Sequence, residues 1–291
     1  MNPVRNPLIK KPSAPAKNPP LISEASNGMN IIALIKQVPD TAVDLKINAE
    51  ATDIMYQDIP WVINPYDEYA VEEALRIKEK NGGSVTVISM GPDRAADIIR
   101  SSIAMGADEG IHLKDAAFDG SDAYGTAFIL SKIASVSGYD IILAGKQAVD
   151  DGWGQVGPAL SEILNIPSVS SILKLEISED KKTATAHREI DEGLEIVEVP
   201  LPALFTIQQG INTPRYASLP GIMRAKKKEI KVFNAGALDI SQVKTGREAS
   251  RIMLQKLSKP HTRKKGEMLK GDVMSAAKGL LNRLRNEAKV I

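Results

Sequence analysis

The chain has no cysteine. Disulfides, iron–sulfur ligation and thiol chemistry are therefore excluded, and a reducing, cytoplasmic setting is expected. Histidine is scarce. His112, His187 and His261 are the three in 291 residues, never at metal-ligand spacing, so no zinc site is expected. Net charge is nearly absent. Lys+Arg number 37 and Asp+Glu 36, so the whole chain lacks the basic surplus of a nucleic-acid binder. No apolar run approaches the roughly 20 residues of a membrane-spanning helix. Nothing repeats at a fixed period, and no G-x-x-x-x-G-K-[ST] stretch occurs, which excludes a P-loop.

What is present begins with a basic, proline-rich stretch. Residues 1–28 hold six of the 17 prolines together with Arg5, Lys10, Lys11 and Lys17. They read as a disordered tail, or as the product of a start assigned upstream of Met29. No apolar segment follows to make a secretory signal.

From residue 29 apolar runs alternate with helical patterns. Asn30–Ile35, Ser84–Met90, Gly110–Leu113 and Tyr139–Ala144 read as buried strands. Asn64–Lys80 reads as a helix, with Asn64 as cap, Pro65 at the first position, and Ala70, Ala74 and Ile77 on one stripe. Arg94–Ala104 and Asp122–Ser137 are further helices. Lys36–Thr41 reads as a loop, and Thr52–Ile63 as a short hairpin or edge segment. This alternation indicates an α/β fold with a parallel sheet. After Leu164 the pattern changes to a meander: Ser168–Ile177, Thr183–Arg188, Leu194–Val199 and Leu204–Ile207. From Lys244 to Ile291 there are 13 Lys/Arg against four Asp/Glu. There Asp272–Ala288 forms an amphipathic helix with Val273, Ala276, Leu280, Leu281, Leu284 and Ala288 on one face. We expect this arm to dock on a partner subunit.

The stretch Gly145–Pro158, GKQAVDDGWGQVGP, follows a strand and precedes a helix. A glycine-rich turn there presents backbone N–H groups that suit phosphate. Gly152 to Gly157 also match G-x-G-x-x-G, with Glu176 about where a ribose-binding acid belongs. The match starts seven residues past the strand end and follows Asp150 and Asp151, so we read it as coincidence. Four segments lie at sheet edges and could converge on one mononucleotide: Leu34–Lys36, Asn64–Asp67, Met90–Gly91 and Gly145–Val156. No catalytic constellation is evident. Asp150 and Asp151 have no companion to position a substrate, so the expectation is a carrier or binding protein rather than an enzyme.

Several blocks carry a resemblance over about residues 29–235. They are KQVPDTA, NPYDEYAVEEALRIKE, AMGADEGIHL, GKQAVDDGWGQVGP and REIDEGLEIVEVPLPALFTIQQGINTPRYASLPGIMRAKKK. Together they resemble the beta subunits of electron-transfer flavoproteins. The resemblance implies a doubly wound, mostly parallel α/β sheet related to adenine-nucleotide-binding (adenine nucleotide alpha hydrolase-like) domains. It divides the chain into the tail 1–28, a nucleotide-binding domain 29–235 and a C-terminal arm 236–291 docking on an alpha subunit. It implies FAD held mainly by alpha and a structural AMP in this subunit. It also implies electron donors such as acyl-CoA or other flavin dehydrogenases, and a membrane quinone oxidoreductase as acceptor. AMP would touch Leu34, Asn64, Pro65, Tyr66, Asp67 and Met90. From the loop it would meet Gly145, Lys146, Gln147, Ala148, Val149, Asp150, Asp151, Gly152, Trp153, Gly154, Gln155 and Val156. The dehydrogenase-docking loop matches Gln209–Pro214, with Ile211 as apolar anchor beside Asn212 and Pro214.

Two departures stand out. Many AMP-binding members end the loop Gln-Thr, where this chain has Gln155-Val156 without a hydroxyl. That ending resembles electron-bifurcating members with a second FAD in place of AMP. At Thr41 some members carry an aromatic residue near the alpha-bound flavin. The alternatives from other classes are an NAD-dependent oxidoreductase reading Gly152–Gly157 as its dinucleotide motif, and a stand-alone nucleotide-binding signalling domain.

Overall fold

The computed structural model describes residues 28–57, 59–240, 245–260 and 266–291. The expectation for 1–28 lies, Gly28 excepted, outside the described residues. In chain order the elements are β1 (Met29–Leu34), β2 (Gln37–Pro39), β3 (Trp61–Ile63), α1 (Pro65–Asn81), β4 (Gly83–Met90), α2 (Ala95–Met105) and β5 (Glu109–Leu113). A 3-10 turn at Ala116–Phe118 leads to α3 (Ala123–Ser137), β6 (Ile141–Gly145) and α4 (Val156–Leu164). Then come β7 (Ser168–Ile177), β8 (Thr183–Ile190), β9 (Gly193–Pro200), β10 (Ala203–Ile207), α5 (Leu219–Lys227), β11 (Lys231–Phe233), α6 (Gly246–Ala249) and α7 (Val273–Asn286).

These elements form two compact units. The first runs through Leu45 and resumes over Tyr56–Met253; the second comprises Lys46–Met55 and Leu254–Ile291. In the first, nine strands make one sheet in the order β11-β5-β4-β1-β6-β10-β7-β8-β9. Every pairing is parallel except β7 with β8 and β8 with β9. Ile31–Leu34 of β1 pair with Val85–Ile88 on one side and Ile141–Ala144 on the other. The chain builds outward from β1 through β4 and β5, then returns to place β6 on its opposite flank. The carboxyl end of β1 is thus a topological switch point, where ligands collect in open α/β sheets.

The sheet is covered on both faces, which is why its central strands are continuous apolar runs rather than alternating ones. Ile31, Ala33, Val85, Val87, Ile141 and Leu143 face a layer made by α1, α2 and α5. Ile32, Leu34, Ile88, Ile142 and Ala144 face α3 and α4. The fold is therefore doubly wound and α/β, with a mostly parallel sheet.

Three local expectations change. Lys36–Thr41 is not all loop: Gln37–Pro39 pair antiparallel with Trp61–Ile63. Three-residue strands around Pro39 leave no alternation to read. Between them, Ile47 and Ile54 form a single bridge. Asn64 precedes α1 but makes no side-chain cap bond. The expected arm also begins later than residue 236, because Leu238 and Ile240 are buried in the α3–α4 layer and the first unit continues to Met253.

In the second unit, Leu257 N–H donates to the Ala51 carbonyl at 2.7 Å. Asp272 caps α7 by accepting from Ser275 N–H at 2.9 Å. Helix α7 has no buried residue, and Val273, Leu280 and Leu281 are exposed. No helix among the described residues is long and apolar enough to cross a membrane.

Candidate functional site

The carboxyl ends of β1, β4, β5 and β6 open onto one cavity of about 320 Å³. Leu34 ends β1 and Ile35 and Lys36 follow it; Ile88 and Met90 come from β4 and Gly91 follows. Asn64 and Asp67 enter from the start of α1. The loop after β6 supplies Gly145–Ala148, Asp151 and Trp153–Gly157. The far wall is the segment after β5, from Leu113 through Asp115 and Phe118–Ala123 to Thr126 and Leu130 of α3.

The start of α1 shapes the loop. Asn64 is fully buried. Its Nδ2 donates to the Gln147 carbonyl at 2.9 Å and its Oδ1 accepts from Val149 N–H at 3.1 Å. An amide side chain carries both a donor and an acceptor group, so it pairs with this stretch of backbone as another strand would. That use explains why Asn64 does not cap its own helix. Asp67 is also buried. Its Oδ2 accepts from Lys36 N–H at 2.7 Å and its Oδ1 from Gly145 N–H at 3.0 Å. A Cβ on residue 145 would lie 2.2 Å from Asp67 Oδ1, so the strand end must be glycine. Gly152 (φ 67°) and Gly154 (φ 61°) then turn the loop in the left-handed region.

The loop ends at α4, whose N-terminus carries no side-chain cap and no acidic residue in its first turn. The first amides of a helix have no partner inside it, so this end offers N–H groups to an anion. Gly157 packs so closely on β10 that a Cβ would sit 2.6 Å from Thr206 Cγ2. That contact holds the helix start against the sheet.

Charge around the cavity is largely committed. Lys36 Nζ reaches Asp150 Oδ1 at 2.8 Å and Asp151 Oδ2 at 2.9 Å. Burial alone would lower the lysine, but the two carboxylates outweigh it and hold its ammonium above the ordinary value. Asp151 Oδ1 also accepts from Trp153 N–H at 3.1 Å. Burial pushes the Asp67 carboxyl up to about 7, against the opposing effects of the Lys36 and Gly145 amides, the Asn64 side chain and the Lys36 charge. On the far wall, Asp122 caps α3 through Gly125 N–H at 2.8 Å, and Asp115 accepts from Ala117 and Ala235 N–H. Those amides keep the Asp115 carboxyl below its usual range; for Asp122, backbone N–H bonds outweigh burial and do the same. Asp150 and Asp151 thus hold a lysine and a loop amide.

The residues expected from sequence divide cleanly. Leu34, Asn64, Asp67, Met90, Gly145, Lys146, Gln147, Ala148, Asp151, Trp153, Gly154, Gln155 and Val156 line the cavity. Pro65, Tyr66, Val149, Asp150 and Gly152 do not. Pro65 and Tyr66 are the first two residues of α1, while Val149 and Asp150 are held by Asn64 and Lys36 at the cavity's edge. Sequence reading missed the whole far wall. Asp119-Gly120-Ser121-Asp122 is another glycine-bearing turn leading into a helix, but its local sequence does not place it at this site. It reaches the site because β5 pairs with β4 at this edge.

The expected docking loop is braced on α1. Ile211 is half-buried and packs on the core. Asn212 Nδ2 donates to the Tyr69 carbonyl at 3.0 Å and to Glu73 Oε2 at 2.9 Å. Arg215 Nε binds Glu72 Oε2 at 2.8 Å, and its other nitrogens reach Glu72 and Glu79. The exposed apolar side chains follow the loop: Tyr216 is 99% exposed and Leu219 75%.

The chain matches the Electron transfer flavoprotein domain over residues 53–238. It is 43% identical over 259 residues to the electron transfer flavoprotein subunit beta of Thermoanaerobacterium thermosaccharolyticum, covering 89% of this chain and 98% of that protein. It is 39% identical over 267 residues to the Bacillus subtilis electron transfer flavoprotein subunit beta, covering 90% of this chain and all of the relative. The caffeyl-CoA reductase-Etf complex subunit CarD of Acetobacterium woodii is 37% identical over 265 residues, with 90% of this chain and all of the relative covered.

Proposed function

Because the chain belongs to the electron-transfer flavoprotein beta subunit family, we propose that it is the nucleotide-holding, non-catalytic half of a heterodimeric electron carrier. The observation that carries this reading is the cavity at the switch point, bordered by the glycine-bearing loop after β6 and the uncapped start of α4. Its volume lies at the low end of the roughly 300–1,000 Å³ typical of small-molecule sites. That suits AMP better than a flavin dinucleotide. The phosphate would sit at the start of α4, on the amides of Val156 and Gly157. Asn64, Asp67 and the glycine-bearing loop would keep the floor rigid.

In this reading FAD is held mainly by the alpha subunit, and α7 with its exposed Leu280 and Leu281 covers part of that partner. Thr41 is exposed and has no ring to place against a flavin. Acyl-CoA or other flavin dehydrogenases would dock beside the braced 209–215 loop, with Tyr216 and Leu219 as the apolar contacts. A membrane quinone oxidoreductase would take the electrons on. A chain without cysteine suits the cytoplasm.

A second reading, a bifurcating subunit with its own FAD, draws on Val156. Without a hydroxyl, this residue forgoes one phosphate contact that a threonine would offer. Equilibrium dialysis of the full chain against AMP, FAD and NAD tests these readings. Preferential binding of AMP supports the carrier, and of FAD the bifurcating form. Retention of NAD alone would overturn the non-catalytic assignment.

A further inference from the structure

Asp67 occupies a position that its helix does not require. It lies in the first turn of α1, where an acidic residue ordinarily faces the helix's own free amides. Instead both carboxylate oxygens are spent on the sheet. They accept from Lys36 N–H at 2.7 Å and Gly145 N–H at 3.0 Å, the first just beyond the carboxyl end of β1 and the second the last residue of β6. These strands are neighbours at the switch point. Just beyond Asp67's reach the sheet ladder has its own partners: Ile35 N–H donates to Ile88 and Lys146 N–H to Ile207. The carboxylate fills the gap between them.

Burying a carboxylate is costly, and a packed apolar residue would hold a helix to a sheet at lower cost. What the carboxylate adds is control of the loop. Lys36, fixed through its amide by Asp67, holds Asp150 and Asp151 through its ammonium. Asp151 in turn accepts from Trp153 N–H. A continuous set of polar contacts therefore runs from Asp67 through Lys36 and Asp151 to the cavity rim. The glycine at 145 is the steric counterpart, because Asp67 leaves no room for a Cβ there.

We propose that Asp67 is the positioning residue of the ligand loop, tying the ends of β1 and β6 together and setting the posture of residues 145–155 through Lys36. Its effect on nucleotide affinity rests on the nucleotide reading of the cavity; its effect on the loop does not. The chain has two tryptophans, Trp61 and Trp153, and Trp153 is 42% exposed on the rim. In a Trp61→Phe background, Trp153 alone reports the loop.

Asp67→Asn keeps the size but replaces one acceptor by a donor facing an N–H. In that background, at about pH 8 where the Asp67 carboxyl is ionised, it should raise acrylamide quenching of Trp153 well below the unfolding transition, and weaken AMP binding about tenfold or more. A merely structural role would lower the melting temperature and leave the quenching of the folded state unchanged, which would overturn the proposal. If the parent protein binds neither AMP nor FAD while Asp67→Asn still loosens Trp153, the positioning role stands and the nucleotide reading falls. Should the variant not fold, hydrogen exchange of the parent decides. Slow exchange at both the Lys36 and Gly145 amides supports the tie, and fast exchange at either refutes it.

Discussion

Replacing Asn64 by alanine isolates the contact that shapes the ligand loop. The side chain is fully buried and makes two bonds to the loop backbone, 2.9 Å to the Gln147 carbonyl and 3.1 Å from Val149 N–H. Alanine leaves both groups without a partner. A buried polar group left unpaired costs about 1–3 kcal/mol. Gln147 and Val149 are only half-buried, so water recovers part of this, and roughly 2 kcal/mol in total is expected. At about 1.4 kcal/mol per tenfold, the loop should open some 30 times more often. The loss is local, so the melting temperature should move little. Hydrogen exchange over residues 146–152 should speed up by about that factor, and AMP affinity should fall in parallel. Asn64→Asp is the companion variant. It keeps an acceptor for Val149 but sets a carboxylate against the Gln147 carbonyl, so it should do no better than alanine. Wild-type exchange in Asn64→Ala would refute this account of the loop.

Three further outcomes follow from the same contacts. Asp67 is raised from 3.8 to about 7, so the folded chain keeps a proton that the unfolded chain has released between those values. Its contribution is full below the lower value and lost as pH rises through the upper one. In denaturant titrations the wild type should lose about 2 kcal/mol relative to Asp67→Asn between about pH 5 and pH 7. Arg215→Ala removes the main partner of the buried Glu72, leaving Arg76; about 2 kcal/mol of stability should go at neutral pH. Burial works to raise Glu72, but Arg215 and Arg76 hold it below its ordinary value, so the deficit should shrink as pH falls below the usual carboxylate range. Paired substitutions Leu280→Asp and Leu281→Asp should leave thermal unfolding of the isolated chain unchanged, because both side chains are exposed on a helix with no buried residue, yet abolish co-purification with an alpha subunit.

The sheet was legible because its central strands are buried on both faces and so appear as unbroken apolar runs. Helix α1 was legible from Pro65 and its apolar stripe. The far wall of the cavity was not, because strand order is a tertiary fact: nothing near Asp115–Ala123 says that β5 lies beside β4. Asn64 was misread for a different reason. Helix capping explains an asparagine before Pro65 adequately, so its pairing with a loop 83 residues away leaves no local trace. In the 209–214 loop, Ile211 is the obvious apolar residue in sequence. The ion pairs of Arg215 and the bonds of Asn212 fold that loop down on α1, and the exposed apolar surface moves on to Tyr216 and Leu219.

The central claim is that this chain holds a nucleotide for structure while its partner holds the redox flavin. Co-expression with an alpha subunit, denaturation of the purified complex and counting of the released nucleotides test it most directly. One FAD and one AMP per heterodimer is the predicted result. Two FAD without AMP would contradict it and make this subunit a redox centre in its own right.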